Sequence, residues 1–309
     1  MMSDRTLISF DWATKKFLRQ KANFGILEGF LTELTERFIQ IIEILESEGN
    51  KESKEDNYNR VDLLCKDSKG EMIIIEVQFN LDLDYFHRIL YGISKVITEH
   101  IDEKEPYSKV KKVISVNIVY FDLGEGTDYV YHGTTTFISK HNNDVLTLGH
   151  YQQKLFDKTS PSEIFPEIYL IKVNNFDDVS KTPLDEWIYF LKNTALPENY
   201  SARGLKEVES KLKYEVMNTI EKQEYDTFIK NVRISKSVIE SAKYVSKEEG
   251  REEGREEGRE EGIEIGIEKT KISAVLKGYE NNLSISLIAN INDLTEEEVM
   301  KILRDHGKF

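Results

Sequence analysis

Three polar residues in and beside an apolar run have the types and spacing to do chemistry together: Asp62, Glu76 and Gln78. Glu76 and Gln78 interrupt Ile73-Ile74-Ile75-Glu76-Val77-Gln78-Phe79, a segment otherwise suited to burial. Asp62 stands fourteen residues before Glu76, on the far side of Ser68-Lys69-Gly70. Taking those three as a hairpin loop, with Gly70 in the left-handed position of a type I turn plus G1 bulge, pairs Asp67 with Glu71. Counting outward sets Asp62 directly opposite Glu76, and alternation puts Gln78 on the same face. The two carboxylates then lie about 5 Å apart at Cβ, where like charges oppose each other. A divalent cation between them turns that repulsion to use. Mg²⁺ takes carboxylate and water oxygens, commonly one or two protein carboxylates plus phosphate. Held there, it would polarise a phosphodiester and acidify an attacking water. The plainer alternative leaves both carboxylates on a solvated edge of the hairpin. Spacing alone does not choose.

The elements that must hold this hairpin follow from periodicity. Arg60–Cys65 and Met72–Phe79 are the two strand candidates, preceded by a polar loop from Glu48 to Asn57. From Phe10 to Ile44 apolar residues recur at helical spacing, predicting one or two amphipathic helices broken near Asn23-Phe24-Gly25. Asp84 to His100 is helical again, and Val110–Phe121, Tyr129–Ile138 and Ile168–Val173 read as strands. Leu184–Lys192 is a short helix after Pro183. This order indicates an α/β or α+β domain over residues 1–200. Residues 201–245 read as charged helix, and 246–270 contain Glu248-Glu249-Gly250 followed by three copies of Arg-Glu-Glu-Gly through Gly262. Arg–Glu pairs three apart support a helix, while each interior glycine costs about 1 kcal/mol against alanine. Two readings stand for the repeat: a glycine stripe that admits a second helix, or a fraying charged linker. Residues 271–309 predict a small helical unit whose last helix starts at the capping box Thr295-Glu296-Glu297-Glu298.

Composition narrows the function. The chain has 309 residues, 39% of them hydrophobic and 32% charged, with no apolar run of the roughly 20 residues that span a bilayer. Its start, MMSDRTLISF, lacks a secretory leader's apolar region and cleavage site. Cys65 is the sole cysteine, so neither a disulfide framework nor a cysteine-rich zinc site forms within one chain. The simplest address is the cytoplasm, with no membrane partner. The net charge is −14, and the first 200 residues hold 23 basic against 33 acidic side chains. DNA affinity comes largely from Lys and Arg at phosphates, so action on DNA would need bound metal and a local basic patch. No Walker-type loop appears, which argues against a nucleotide cofactor, and no Gly-x-Ser-x-Gly element for acyl transfer.

Arg60-Val61-Asp62-Leu63-Leu64 followed by Glu76-Val77-Gln78 resembles the D…E-x-K/Q signature of the PD-(D/E)XK nuclease superfamily. More narrowly, the chain resembles the recombination-promoting nuclease and putative transposase family. Supporting stretches include Asp11 to Phe17, Leu27-Glu28-Gly29-Phe30-Leu31, Tyr85 to Gly92, Val116 to Phe121 and Leu184 to Lys192. The resemblance covers about residues 5–195 and implies a restriction-endonuclease-like α/β fold: a mixed sheet flanked by helices, with a helical C-terminal extension. It also implies a Mg²⁺-dependent (or Mn²⁺-dependent) DNA endonuclease. Carried over, Asp62 and Glu76 bind the metal and Gln78 stands where most of the superfamily has lysine. A glutamine can hydrogen-bond the nucleophilic water but not deprotonate it, which leaves the general base open. Glu28 stands where an additional acidic ligand is often found, or is an ordinary solvated helix position. Arg88 and Tyr91, a helical turn apart, would meet a phosphate, or Arg88 pairs with a core carboxylate. Lys15 and Lys16 are candidate DNA contacts or plain surface charges.

Three functions compete: a metal-dependent endonuclease linked to recombination or mobile elements, an idle nuclease fold serving as a DNA-binding or assembly module, and a C-terminal helix-turn-helix. The last is weakest, because the acidic start of the final helix would face phosphate. The C-terminal region suits self-association better, giving a homo-oligomer.

Overall fold

The structure, a computed structural model, describes residues 7–45, 62–101 and 104–308. The expected polar loop 48–57 and the first residues of the expected hairpin strand, Arg60 and Val61, lie outside the described residues. The chain divides into two units, Met1–Val232 and Arg233–Phe309.

The hairpin organises the first unit. Strands β2 (Leu63–Asp67) and β3 (Met72–Gln78) run antiparallel with Leu63 opposite Ile75 and Lys66 opposite Met72, the register that the glycine predicts. Gly70 has φ +79°, a conformation costly for any residue with a Cβ. The Asp67 carboxylate closes the turn by accepting the N–H groups of Lys69 (2.9 Å) and Glu71 (2.8 Å). After β3 the chain forms α3 (Tyr85–Glu99) and returns as β4 (Val113–Val119), parallel to β3, with Glu76 beside Asn117. This βαβ passage explains the long apolar runs in both strands, because a parallel sheet covered on two faces buries nearly every side chain.

The six-stranded mixed sheet has the order β1-β2-β3-β4-β6-β5. Its edges are β1 (Ile41–Leu45) and β5 (Val130–Gly133), and β6 (Glu167–Lys172) is parallel to β4. One face packs on α3 through Met72, Ile74, Ile89, Ile93 and Val96. The other packs on α1 (Phe10–Lys16), α2 (Phe24–Thr35), α5 (Pro183–Asn193) and α6 (Leu205–Lys211) around Phe10, Phe30 and Trp187. A separate short helix, α4 (His150–Phe156), follows β5. A Cβ at Gly29 would overlap the Arg203 carbonyl, so this glycine is what lets α2 meet the segment before α6. Glu167 ties together four segments: its carboxylate meets Arg37 and Lys112 at 2.8 Å each and His132 Nε2 at 2.7 Å, and accepts from Tyr169 at 2.9 Å.

Two expectations change. Ile41, Ile42 and Ile44 form the edge strand β1 rather than a helical turn, because α2 ends at Glu36, whose φ of 54° breaks the helix. The helical break upstream falls between Lys16 and Phe24, where Lys21–Asn23 is a 3-10 turn, ahead of the expected position. Beyond residue 200, Ala202, Leu205, Val208, Leu212, Met217 and Tyr225 are buried in the same core.

In the second unit, the end of α7 (Thr219–Glu280) meets α8 (Ile285–Ile291) and α9 (Glu296–Asp305) around Val275, Ile288, Ala289, Val299 and Leu303. Thr295 and Glu298 form the predicted capping box. The glycine repeat is helical within α7, with Arg251–Glu248 and Arg255–Glu252 pairs at 3.7 and 2.6 Å. Among the described residues no helix is long and apolar enough to cross a membrane.

Candidate active site

Asp62 leads directly into β2, and the register of the hairpin extends to place it opposite Glu76. Its Oδ2 accepts the backbone N–H of Val77 at 2.8 Å, which fixes the carboxylate against the strand that carries Glu76. The Asp62 carbonyl accepts from Arg19 at 2.6 Å, anchoring the backbone as well. Glu76 is 9% exposed, and Arg88 from α3 lies 3.7 Å from its Oε2. Burial pushes the Glu76 carboxyl up to about 7; Arg88 pulls it back and the Asp62 charge pushes it further up. The buried Tyr85 hydroxyl donates to Asn117 Oδ1 at 3.4 Å and, like Arg88, works to lower the Glu76 carboxyl. Asn117 in turn donates to Ser115 Oγ at 3.0 Å and to the Tyr169 carbonyl at 3.2 Å. A polar track thus runs through the apolar sheet beside Glu76.

The opposite flank belongs to α1. Lys15 Nζ is 2.7 Å from Asp11 Oδ1 and 3.7 Å from Asp62 Oδ1. Asp11 is 2% exposed, and neither of its oxygens has a well-oriented hydrogen bond among the described residues. Burial pushes its carboxyl up to about 6 against the pull of Lys15. Burial also works against the Lys15 ammonium, yet Asp11 and Asp62 outweigh it and hold that group above the usual lysine value. Two cations, Lys15 and Arg88, therefore flank the pair from helices on opposite faces of the sheet.

The remaining sequence-predicted residues are placed as follows. Gln78 ends β3, and its amide makes a long 3.4 Å contact to the Asn80 carbonyl. Arg88 lies 3.7 Å from Glu76 Oε2 and 3.8 Å from Asp82 Oδ2. Tyr91 is exposed on α3. Lys16 pairs with Glu224 at 3.1 Å and lies over the Trp12 ring. Glu28 is not brought to the pair: its Oε1 accepts the Ile41 N–H at 2.8 Å, holding the start of β1. Sequence reasoning passed over Asp11, Tyr85 and Asn117 as site residues. Asn117 had a signal, a lone amide in the strand VISVNIV. Asp11 had none, since an acid in a helix's first turn is ordinary.

A hard divalent cation fits this donor set. Two adjacent carboxylates carry more negative charge than Arg88 and a shared Lys15 offset, in a place where burial already disfavours the charged form of Glu76. Among the described residues no three acidic, histidine or cysteine side chains form a ready cage. A cation here would take Asp62 and Glu76 and complete its shell with water and phosphate oxygens, as Mg²⁺ commonly does.

A family model described as PD-(D/E)XK nuclease family transposase matches residues 8–242. No curated protein and no solved structure matches the chain. The matched span takes in α1, the hairpin and α3, and the mixed sheet with helices on both faces is the restriction-endonuclease-like architecture that the resemblance implied. By that match, over most of its length, the chain belongs to the PD-(D/E)XK nuclease family transposases.

Proposed function

We propose that the chain is a Mg²⁺- or Mn²⁺-dependent DNA endonuclease that serves recombination or mobile-element processes. The observation that carries this reading is the juxtaposition of Asp62 and Glu76 across the hairpin, with Asp62 fixed by the Val77 N–H. Asp62 and Glu76 would hold the metal, which when bound supplies Lewis-acid polarisation of the phosphodiester and acidifies water. The chain's own residues do the rest. Arg88 partly offsets the burial that disfavours the charged, ligating form of Glu76. Gln78, next but one along β3, orients the attacking water through its amide, accepting or donating without changing charge. Membership of a nuclease and transposase family supports DNA as the substrate.

Cleavage of supercoiled plasmid tests this. Nicking or linearisation with Mg²⁺ is expected, with none in EDTA and at least a hundredfold loss in Asp62→Ala. Absence of cleavage by a folded protein with any divalent ion favours the idle binding module instead. Cleavage that survives Asp62→Ala would remove Asp62 from the centre.

The chain also self-associates through its C-terminal helical region in this reading. In support, a Cβ built at Gly250, Gly254, Gly258 or Gly262 meets nothing within 4 Å, so the stripe is open to a second helix.

A further inference from the structure

We infer that the Lys15 ammonium supplies the cation that the D/E-x-K signature would place at residue 78, and that buried Asp11 positions it against the scissile phosphate. This rests on the nuclease reading of the Asp62–Glu76 pair. Three observations lead to it. The side chain at 78 is an uncharged amide turned toward the Asn80 carbonyl, so β3 itself offers no cation to the phosphate. Lys15 brings one from a different element, its Nζ 3.7 Å from Asp62 Oδ1. Its side chain is 41% exposed, so Lys15 is not sealed into the core.

Asp11 is the argument that this placement is built rather than incidental. A carboxylate is costly to bury unless its charge is paired and its lone pairs are used. Asp11 is almost wholly buried, its oxygens make no well-oriented hydrogen bond among the described residues, and it ion-pairs with Lys15 one helical turn away. Such a group has no evident purpose in packing. It holds one end of an ammonium whose other side faces Asp62. Phe228, with its ring centroid 5.9 Å from Nζ, walls the third side. The ammonium acts throughout as a fixed positive charge: it binds the non-bridging phosphate oxygen and steadies the charge that develops there.

Four variants of the full chain test this: Lys15→Met, Asp11→Asn, the double Asp11→Asn/Lys15→Met, and Lys15→Met/Gln78→Lys. The double variant removes both charges together, so no unpaired buried charge remains to unfold it. Lys15→Met is expected to lower the single-turnover cleavage rate at least about a hundredfold, with duplex Kd in EDTA changing less than about threefold. Asp11→Asn lowers the rate about tenfold through misplacement of the ammonium. Restoring lysine at 78 in Lys15→Met recovers about tenfold or more. Cleavage of Lys15→Met and the double variant at the wild-type rate, or no recovery from Gln78→Lys, overturns the assignment. A second readout does not need cleavage. Removing a cation that competes at Asp62 should tighten Mn²⁺ binding, measured by calorimetry, about fivefold. If the wild-type chain does not cleave DNA, tighter Mn²⁺ binding upholds the placement of Lys15 while the nuclease reading falls. Unchanged Mn²⁺ binding in Lys15→Met then overturns the placement as well.

Discussion

Glu76 stands where a carboxylate is least at home: in a buried strand, across from Asp62, with Arg88 at 3.7 Å as partial compensation. A neutral amide of the same shape would relieve the like-charge opposition and the cost of burying charge. Glu76→Gln is therefore expected to raise the stability of the metal-free protein by about 1 kcal/mol, read from urea unfolding in EDTA. The same variant should not cleave. Lower stability would mean that the Arg88 pair outweighs the burial. Residues of this kind are legible in sequence because they break a pattern: Glu76 and Gln78 interrupt an isoleucine run, and a counted turn finds Asp62. Asp11 breaks no pattern. Its importance comes from a burial that depends on how the far end of the domain packs over α1.

The hairpin shows what local chemistry can specify. Gly70 sets the turn, the turn sets the register, and a slip of one residue would turn every side chain of one strand to the other face. β1 shows the opposite. Ile41, Ile42 and Ile44 suit either a strand or a helix, and the break before them is a left-handed Glu36, which carries no glycine or proline signal. The choice is made by pairing with β2, a partner across the loop. Glu167 adds a second tie between elements, and its acid sensitivity can be signed. Burial raises its pKa, but Lys112 and Arg37 outweigh that and hold it down at about 2, below the usual 4.5. A depressed folded value contributes stability above the unfolded pKa, and that contribution is lost as pH falls from about 4.5 toward 2. Relative to Glu167→Gln, the wild type should be more stable by about 3 kcal/mol at pH 6, with the difference fading below pH 4.5. A difference that stays constant down to pH 2.5 would show that the cluster does not rest on the Glu167 charge.

At the scale of the molecule, the net charge of −14 sets the terms for any DNA encounter. Attraction must come from few cations, so binding should be weak and steeply salt-dependent. More than one chain per complex would multiply those cations. Deleting residues 246–309 should therefore reduce the number of chains per particle in sedimentation equilibrium; an unchanged number of chains removes the self-association reading. Past residue 200 a charged helical composition hides Leu205, Val208 and Tyr225, which are buried in the common core. That burial has a consequence in time. α1 is clasped by the start of α7: the Ser9 N–H donates to the Tyr225 hydroxyl at 3.0 Å, and Trp12 packs on Tyr225 and Phe228. α1 and the hairpin leave the ribosome first, and the clasp that seats Lys15 is synthesised roughly seven to thirty seconds later. A chain still in translation thus carries its two acidic residues and α1 without the clasp that seats α1, and the proposed centre is completed when synthesis of the domain is nearly done.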